Sequence, residues 1–199
     1  AGIFEKIQGY RFGVQFSSFY MPGDFVSHVR MMKTDYEDTG LAQLFGMPFV
    51  VLRKPVPFDT TTLNFNWQGW DTKAFSLYSR STEKIDKKGA DMAIAAVCRF
   101  LSRMNVLNYN VYGGYESTVL IEEELVSLRS TASGLYIPHV KSFDSVERGQ
   151  VLADIIDPLT GVTVAQTEAP EDGIVFFAKD SPLVMENETL FKIVNKLHK

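Results

Sequence analysis

GLYIPHVKSFDSVERGQVLADIIDPLTGVTVAQTEAPEDGIVFFAKDSPLVMENETLFKIV, residues 134–194, decides how the second half of this chain folds. Val151-Leu152-Ala153-Asp154-Ile155-Ile156 and Ile174-Val175-Phe176-Phe177-Ala178 are apolar runs of strand length, partly β-branched or aromatic. Pro138, Gly149, Pro158, Gly161, Pro170, Gly173 and Pro182 fall between such runs. Turn signals about every 8–12 residues, with no helical period between them, predict a small all-β module.

Two phrases inside it, Val146-Glu147-Arg148-Gly149-Gln150-Val151-Leu152 and Ala169-Pro170-Glu171-Asp172-Gly173-Ile174-Val175, resemble the facing strands of biotinyl- and lipoyl-like folds. A swinging-arm carrier needs a lysine at the tip of the hairpin between them. The hairpin here is Asp157-Pro158-Leu159-Thr160-Gly161, and Lys141 and Lys179 lie elsewhere without the flanks a carrier uses. The module therefore reads as a structural or gating appendage.

Upstream, the pattern changes. Tyr10 to Tyr20 alternates and is rich in aromatics, Phe25 to Met32 reads as a short strand, and Phe49-Val50-Val51-Leu52 as a buried one. Asp35-Tyr36-Glu37-Asp38 starts a helix with Leu41, Leu44 and Phe45 at helical spacing, which Gly46 stops ahead of Pro48. Pro55 to Trp70 reads as a long loop, functional or merely connecting, and Ala74 to Ser79 as a further strand. Ala90 to Met104 is a helix with Met92 or Ala93, Ala96 or Val97, Phe100 or Leu101 and Met104 on one face. Arg99 and Arg103 are placed on its outer side. Residues 1–107 thus alternate strand and helix as an α/β layer, 108–117 form a Gly/Asn/Tyr linker, and 118–199 the β domain.

Forty-five per cent hydrophobic residues over 199 positions suffice for one core or two small ones. A net charge of −4 excludes a strongly basic nucleic-acid surface. No apolar run approaches membrane-spanning length, and the first residues show no secretory pattern. Cys98, the single cysteine, reads as a helix core residue and favours a reducing, cytoplasmic setting. Glu122-Glu123-Glu124 reads as a solvated face, or else a docking surface for a basic partner. His28, His139 and His198 are isolated, and no G-x-S-x-G turn or phosphate-cradling glycine loop occurs.

The order Phe45-Gly46-Met47-Pro48-Phe49-Val50-Val51-Leu52-Arg53, Ala74-Phe75-Ser76-Leu77-Tyr78-Ser79, Ala95-Ala96-Val97-Cys98-Arg99-Phe100-Leu101 and then the β module resembles the C-terminal two-thirds of the succinylglutamate desuccinylase/aspartoacylase family. The likeness is strongest over 134–184 and thins before residue 40. It implies a partial zinc-peptidase-like mixed sheet with helices, followed by the small biotinyl/lipoyl-like module. The family cleaves N-acyl amino acids with one zinc, held by a His, a Glu three residues on and a later His, while a further Glu acts as general base. No His-x-x-Glu occurs in this chain. Ser17 of Val14-Gln15-Phe16-Ser17-Ser18 stands where the later zinc histidine is expected, and Tyr78 stands at the general-base position. Phenols keep their proton at neutral pH and serine is a poor zinc ligand. The catalytic candidates are therefore Tyr78 and, five positions on, Glu83 as a replacement carboxylate. His28 and Arg30 are substrate-side candidates, as is Arg80 through its bidentate fork.

Two readings follow from the resemblance. In one, the chain holds no metal and is a non-catalytic structural or binding subunit that pairs with another polypeptide or with itself. In the other, it is a zinc amidohydrolase on N-acyl amino acids whose His-x-x-Glu ligands come from a separate polypeptide. The aromatic share of 13% suits a chain with adhesive interfaces, and neither nucleic acid nor membrane is expected as a partner.

Overall fold

β-Branched and aromatic runs alternate with amphipathic ones through the first 121 residues, and the computed structural model turns them into a mixed sheet flanked by helices. It describes residues 2–19, 21–110 and 112–195; His198 lies outside them. In chain order the elements are α1 (Ile3–Ile7), β1 (Phe12–Ser17), β2 (Asp24–Phe25), β3 (His28–Met32), α2 (Thr39–Gln43), β4 (Phe49–Arg53), α3 (Leu63–Gly69), β5 (Lys73–Tyr78), α4 (Lys87–Arg103) and β6 (Thr118–Ile121). Strands alone follow: β7 (Val126–Arg129), β8 (Gly134–Pro138), β9 (Ser145–Val146), β10 (Val151–Ile156), β11 (Thr163–Glu168), β12 (Gly173–Ala178), β13 (Leu183–Val184) and β14 (Thr189–Asn195).

The chain divides into two units. The first comprises Ala1–Ser18, Ser27–Ser79 and Asp86–Glu123; the second Phe19–Val26, Arg80–Ile85 and Glu124–Lys199. The boundary therefore differs from the expected 108–117. β6 pairs in parallel with β4, Val50 opposite Val119, and so extends the first sheet. The expected strand over 25–32 is also two strands: β2 pairs with β12 in the second unit, and β3 lies in the first.

The sheet of the first unit runs β1-β5-β3-β4-β6. β1 and β5 are parallel to each other, β3 is antiparallel to β5, and β3, β4 and β6 are parallel. With a side-chain period of two, Val14, Phe75, Leu77, Val29, Met31, Val50 and Leu52 share one face. They form one core with Ala42 and Phe45, and with Met92, Ala96 and Phe100 of α4. Phe100 is its centre: its ring stacks on Phe45 at 4.3 Å and meets Phe75 at 5.4 Å and Phe12 at 5.6 Å.

Arg99 is not on the outer side of α4. It is buried, and its Nε donates to the Phe45 carbonyl at 2.9 Å. Arg103 Nη1 donates to the Leu44 carbonyl at 2.8 Å. The physical reason lies at the C-terminal end of α2, where the carbonyls of Leu44 and Phe45, just past the helix, take donors from α4. Burial lowers the Arg99 pKa, as does the neighbouring Arg103 charge. A Cβ at Gly114 would stand 3.1 Å from Arg99 Nε, so a glycine there leaves the guanidinium its room.

The other face of the sheet is covered by residues expected to be a loop. A 3₁₀ turn over Pro57–Thr61 leads into α3. Thr62 caps the helix, its hydroxyl accepting from Phe65 N at 3.4 Å, and Asp59 accepts from Val56 N at 2.9 Å. Trp67 lies so close over Gly13 that a Cβ there would be 2.6 Å from the ring. Gln68 bonds the backbone of Met32 with both ends of its amide, each at 3.0 Å, and so closes the end of β3.

The second unit holds two antiparallel sheets, β11-β10-β8-β13 and β2-β12-β14-β7, with β9 on β12. Tyr136, Leu152, Ile155, Val175, Phe191 and Ile193 from both sheets meet in one core. On the outer face Asp154 accepts from Gln166 Nε2 at 2.8 Å and bonds His139 Nε2 at 2.8 Å. No helix among the described residues is long and apolar enough to cross a membrane.

Two outcomes follow. Phe100→Ala removes the ring at the centre of the first core and costs about 3–5 kcal/mol of stability, read as a lowered urea midpoint. The second concerns acid. The Gln166 and His139 hydrogen bonds hold the Asp154 carboxyl below its ordinary 3.8. A depressed carboxylate stabilises above its unfolded value and loses that effect as the pH falls through the folded one. The melting-temperature gap between wild type and Asp154→Asn is therefore open at pH 6 and closes as the pH drops below 3.8; a gap constant across that range contradicts it.

Candidate functional site

The face of the first sheet under α3 is polar at its middle, and strand register explains why. Tyr78 pairs with Ser17 of β1 on one side and with His28 of β3 on the other. One step along, Ser76 pairs with Gln15 and with Arg30. Since alternate residues share a face, Ser17, Tyr78 and His28 form one row across three strands, and Gln15, Ser76 and Arg30 the next.

His28 is fully buried, and its ring stacks on Tyr78 with centroids 5.1 Å apart and planes 1° from parallel. The Arg30 guanidinium carbon lies 5.4 Å from the centroid of the same ring, and Arg30 Nη1 donates to the phenol oxygen at 3.3 Å. Tyr78 is thus gripped by an imidazole and a guanidinium. In the next row Ser76 Oγ accepts from Gln15 Nε2 at 2.7 Å and from Asn64 Nδ2 of α3 at 2.9 Å.

The charge of Arg30 is met by Glu122, whose carboxylate accepts from Nη2. Glu122 also lies 3.8 Å from Arg53 Nη1, and Arg53 Nε is 3.2 Å from Asp59 Oδ2. Two cations and two anions therefore alternate, Arg30, Glu122, Arg53, Asp59, with side-chain exposures of only 6% and 17% for the first pair. Glu122 corrects the expectation of a solvated acidic run. β6 runs beside β4 into the turn Glu122–Glu124, which turns Glu122 toward the arginines, while Glu123 accepts from Lys54 N at 3.0 Å.

Of the residues singled out from sequence, the fold brings together Tyr78, His28 and Arg30, with Ser17 in register. Arg80 and Glu83 belong to the second unit. The Arg80 guanidinium lies 3.4 Å from Asp24 Oδ1, and the other oxygen of Asp24 accepts from Ser142 at 2.6 Å, so Arg80 has a structural partner. Glu83 is exposed. Glu122, Gln15, Ser76 and Asn64 were not legible as site residues. Only the capping threonine at 62 signalled the helix that carries Asn64.

The donor set bears on metal binding. Among the described residues no group of three or more His, Cys, Asp or Glu side chains is placed to hold an ion. The row offers one imidazole, stacked on a ring, beside two hydroxyls. The nearby carboxylates already face arginines. A catalytic zinc takes three protein ligands of nitrogen, sulfur or carboxylate type, and this row does not fit it.

No family model and no curated protein matches this chain. Solved structures do. It is similar to a succinylglutamate desuccinylase/aspartoacylase from Rhodobacter sphaeroides, at 15% identity and a TM-score of 0.72 over 95% of this chain and 59% of that one. It is similar to the apo ectoine utilization protein EutE (DoeB) from Ruegeria pomeroyi, at 14% identity and 0.75 over 94% and 60%. It is also similar to a succinylglutamate desuccinylase from Silicibacter sp. TM1040, at 14% and 0.74 over 92% and 58%. The chain spans about three-fifths of the length of these structures and shares their fold over that span.

Arg30→Ala is expected to cost about 3 kcal/mol, because it leaves the Glu122 carboxylate without its nearest cation in a half-buried place. Tyr78→Phe, which removes one hydrogen bond and keeps the stacked ring, costs about 1 kcal/mol. Urea unfolding of both variants checks the order, and an Arg30→Ala cost below that of Tyr78→Phe contradicts the ion chain.

Proposed function

We propose that this chain, with the fold of the desuccinylase/aspartoacylase structures, serves as a non-catalytic structural or binding subunit that works with another polypeptide or with a further copy of itself. One observation carries the reading. In the row where the resemblance calls for a zinc histidine and a basic carboxylate stand Ser17 and Tyr78, and the Tyr78 ring is stacked on His28 and contacted by Arg30. A phenol that accepts a bond from a guanidinium is poorly placed to take a proton from water. Glu122, the carboxylate nearest Arg30, is bonded to that guanidinium. His28 and Arg30 stay the candidates for meeting a carboxylate-bearing molecule such as an N-acyl amino acid, which would have to open the buried row and displace Glu122 from Arg30. The partner reading is supported by β1, an end strand of the sheet over six residues; chains usually cover such edges.

We read the second unit as the biotinyl/lipoyl-like module that its two phrases imply. Gly149 N donates to Ala169 O at 2.8 Å and Ala169 N to Gln150 O at 2.9 Å, so the phrases face each other. Leu159, not a lysine, stands exposed in the hairpin between them. That supports an architectural role over a carrier's.

Metal analysis of the purified protein after equilibration with zinc, together with an assay on N-acetylated and N-succinylated amino acids, tests the reading. The expected result is zinc well below one ion per chain and no hydrolysis above the buffer rate. One tightly held zinc per chain with turnover overturns it in favour of an amidohydrolase.

A further inference from the structure

Arg30, Arg53 and Arg80 face carboxylates, those of Glu122, Asp59 and Asp24 respectively. Arg99 is as buried as Arg30, 7% exposed against 5%, and pairs with no carboxylate among the described residues. Its Nε donates to the Phe45 carbonyl, and neither Nη nitrogen has a partner among the described residues. The charge beside it is a second cation. Arg103, one helical turn on, donates through Nη1 to the Leu44 carbonyl and likewise forms no ion pair among the described residues.

The two heads are held side by side, because their anchoring carbonyls belong to consecutive residues, whose Cα atoms stand about 3.8 Å apart. With Nε of Arg99 engaged, the edge between its two Nη nitrogens stays open, and such an edge takes an oxyanion bidentately. Arg103 is exposed, so the pair opens to solvent on that side. Glycines flank the guanidinium: a Cβ at Gly46 would stand 3.0 Å from Arg99 Nε, and one at Gly114 3.1 Å. Tyr115 N donates to the Gly46 carbonyl at 2.9 Å and ties the two loops together. Neither glycine can lay a side chain over the charge. Like charges four residues apart on a helix repel, and a buried charge without a counterion is costly. One anion shared by both arginines removes both penalties.

We propose that Arg99 and Arg103 form a binding site for a phosphate-type dianion, either inorganic phosphate or a phosphate monoester. A carboxylate has one edge and a single charge, enough for one guanidinium fork. A phosphate carries close to two charges and presents at least three acceptor oxygens, so it engages both arginines at once. The site lies on the α4 side of the first sheet, whereas the Tyr78 row lies under α3. The inference goes beyond the subunit reading and stands independently of it.

Equilibrium dialysis of the full chain against inorganic phosphate, at an ionic strength held constant with sodium chloride, tests it. The wild type is expected to bind about one phosphate per chain in the millimolar range, and its melting temperature to rise with phosphate concentration. Arg103→Gln, at an exposed position that tolerates the change, is expected to weaken binding at least about tenfold. Arg99→Lys keeps the charge, loses the fork and acts in the same direction. Arg129→Gln, which removes a guanidinium that also donates to a carbonyl, that of Asn187, leaves binding unchanged. Circular dichroism melts in chloride alone show that the variants fold. Displacement of phosphate by phenyl phosphate supports the site and assigns it to monoesters; binding of phosphate without such displacement supports it and assigns it to the free ion. Absence of phosphate binding above the chloride control overturns the proposal. So does binding undiminished in Arg103→Gln, an equal loss in Arg129→Gln, or succinate held more tightly than phosphate.

Discussion

A guanidinium on a strand buried on both faces must be neutralised where it stands, and Arg30 is that group. The first unit is arranged to do so. β3 lies between an antiparallel β5 and a parallel β4, which places Tyr78 beside it and Arg53 near it on the same face. Glu122 reaches both arginines because β6 runs alongside β4. An ion chain of this kind adds little net stability over an apolar core of the same shape, but removing one member is costly. The opposite face has no such demand, and there Phe100 and its aromatic neighbours supply the burial.

The two units solve the problem of polar groups differently. In the first, α3 supplies amides to the sheet, Asn64 to Ser76 and Gln68 to Met32, and so closes the face. In the second, the outer sheet face keeps Asp154, His139 and Gln166 satisfied among themselves and leaves aliphatic side chains in the open. One device closes a face with a helix; the other satisfies polar groups within the face itself.

Much of this was readable from residue order. Phe49 to Leu52 became β4, Ala74 to Ser79 gave β5, Asp38 caps α2, and the tail folds as strands broken by glycine and proline. The misreadings share a cause. The stretch 55–70 lacks apolar periodicity because α3 buries Asn64 and Gln68, polar residues that read as loop. Arg99 has the chemistry of a surface residue, yet the carbonyls at the end of α2 draw it inward. Glu122 belongs to an acidic run, which by composition means solvent, and only the neighbouring β4 supplies its cation.

Local order alone determined the strands, the long helix, the β character of the tail, and the hydroxyl-bearing Ser17 and Tyr78 in a chain without His-x-x-Glu. These depend on side-chain period and turn chemistry, which act between residues a few positions apart. Tertiary structure decided that Ser17, Tyr78 and His28 share a row, that Arg30 answers to Glu122, ninety-two positions later, and that Arg80 answers to Asp24. Charge pairing across such separations is set by strand order and register, which no local pattern encodes.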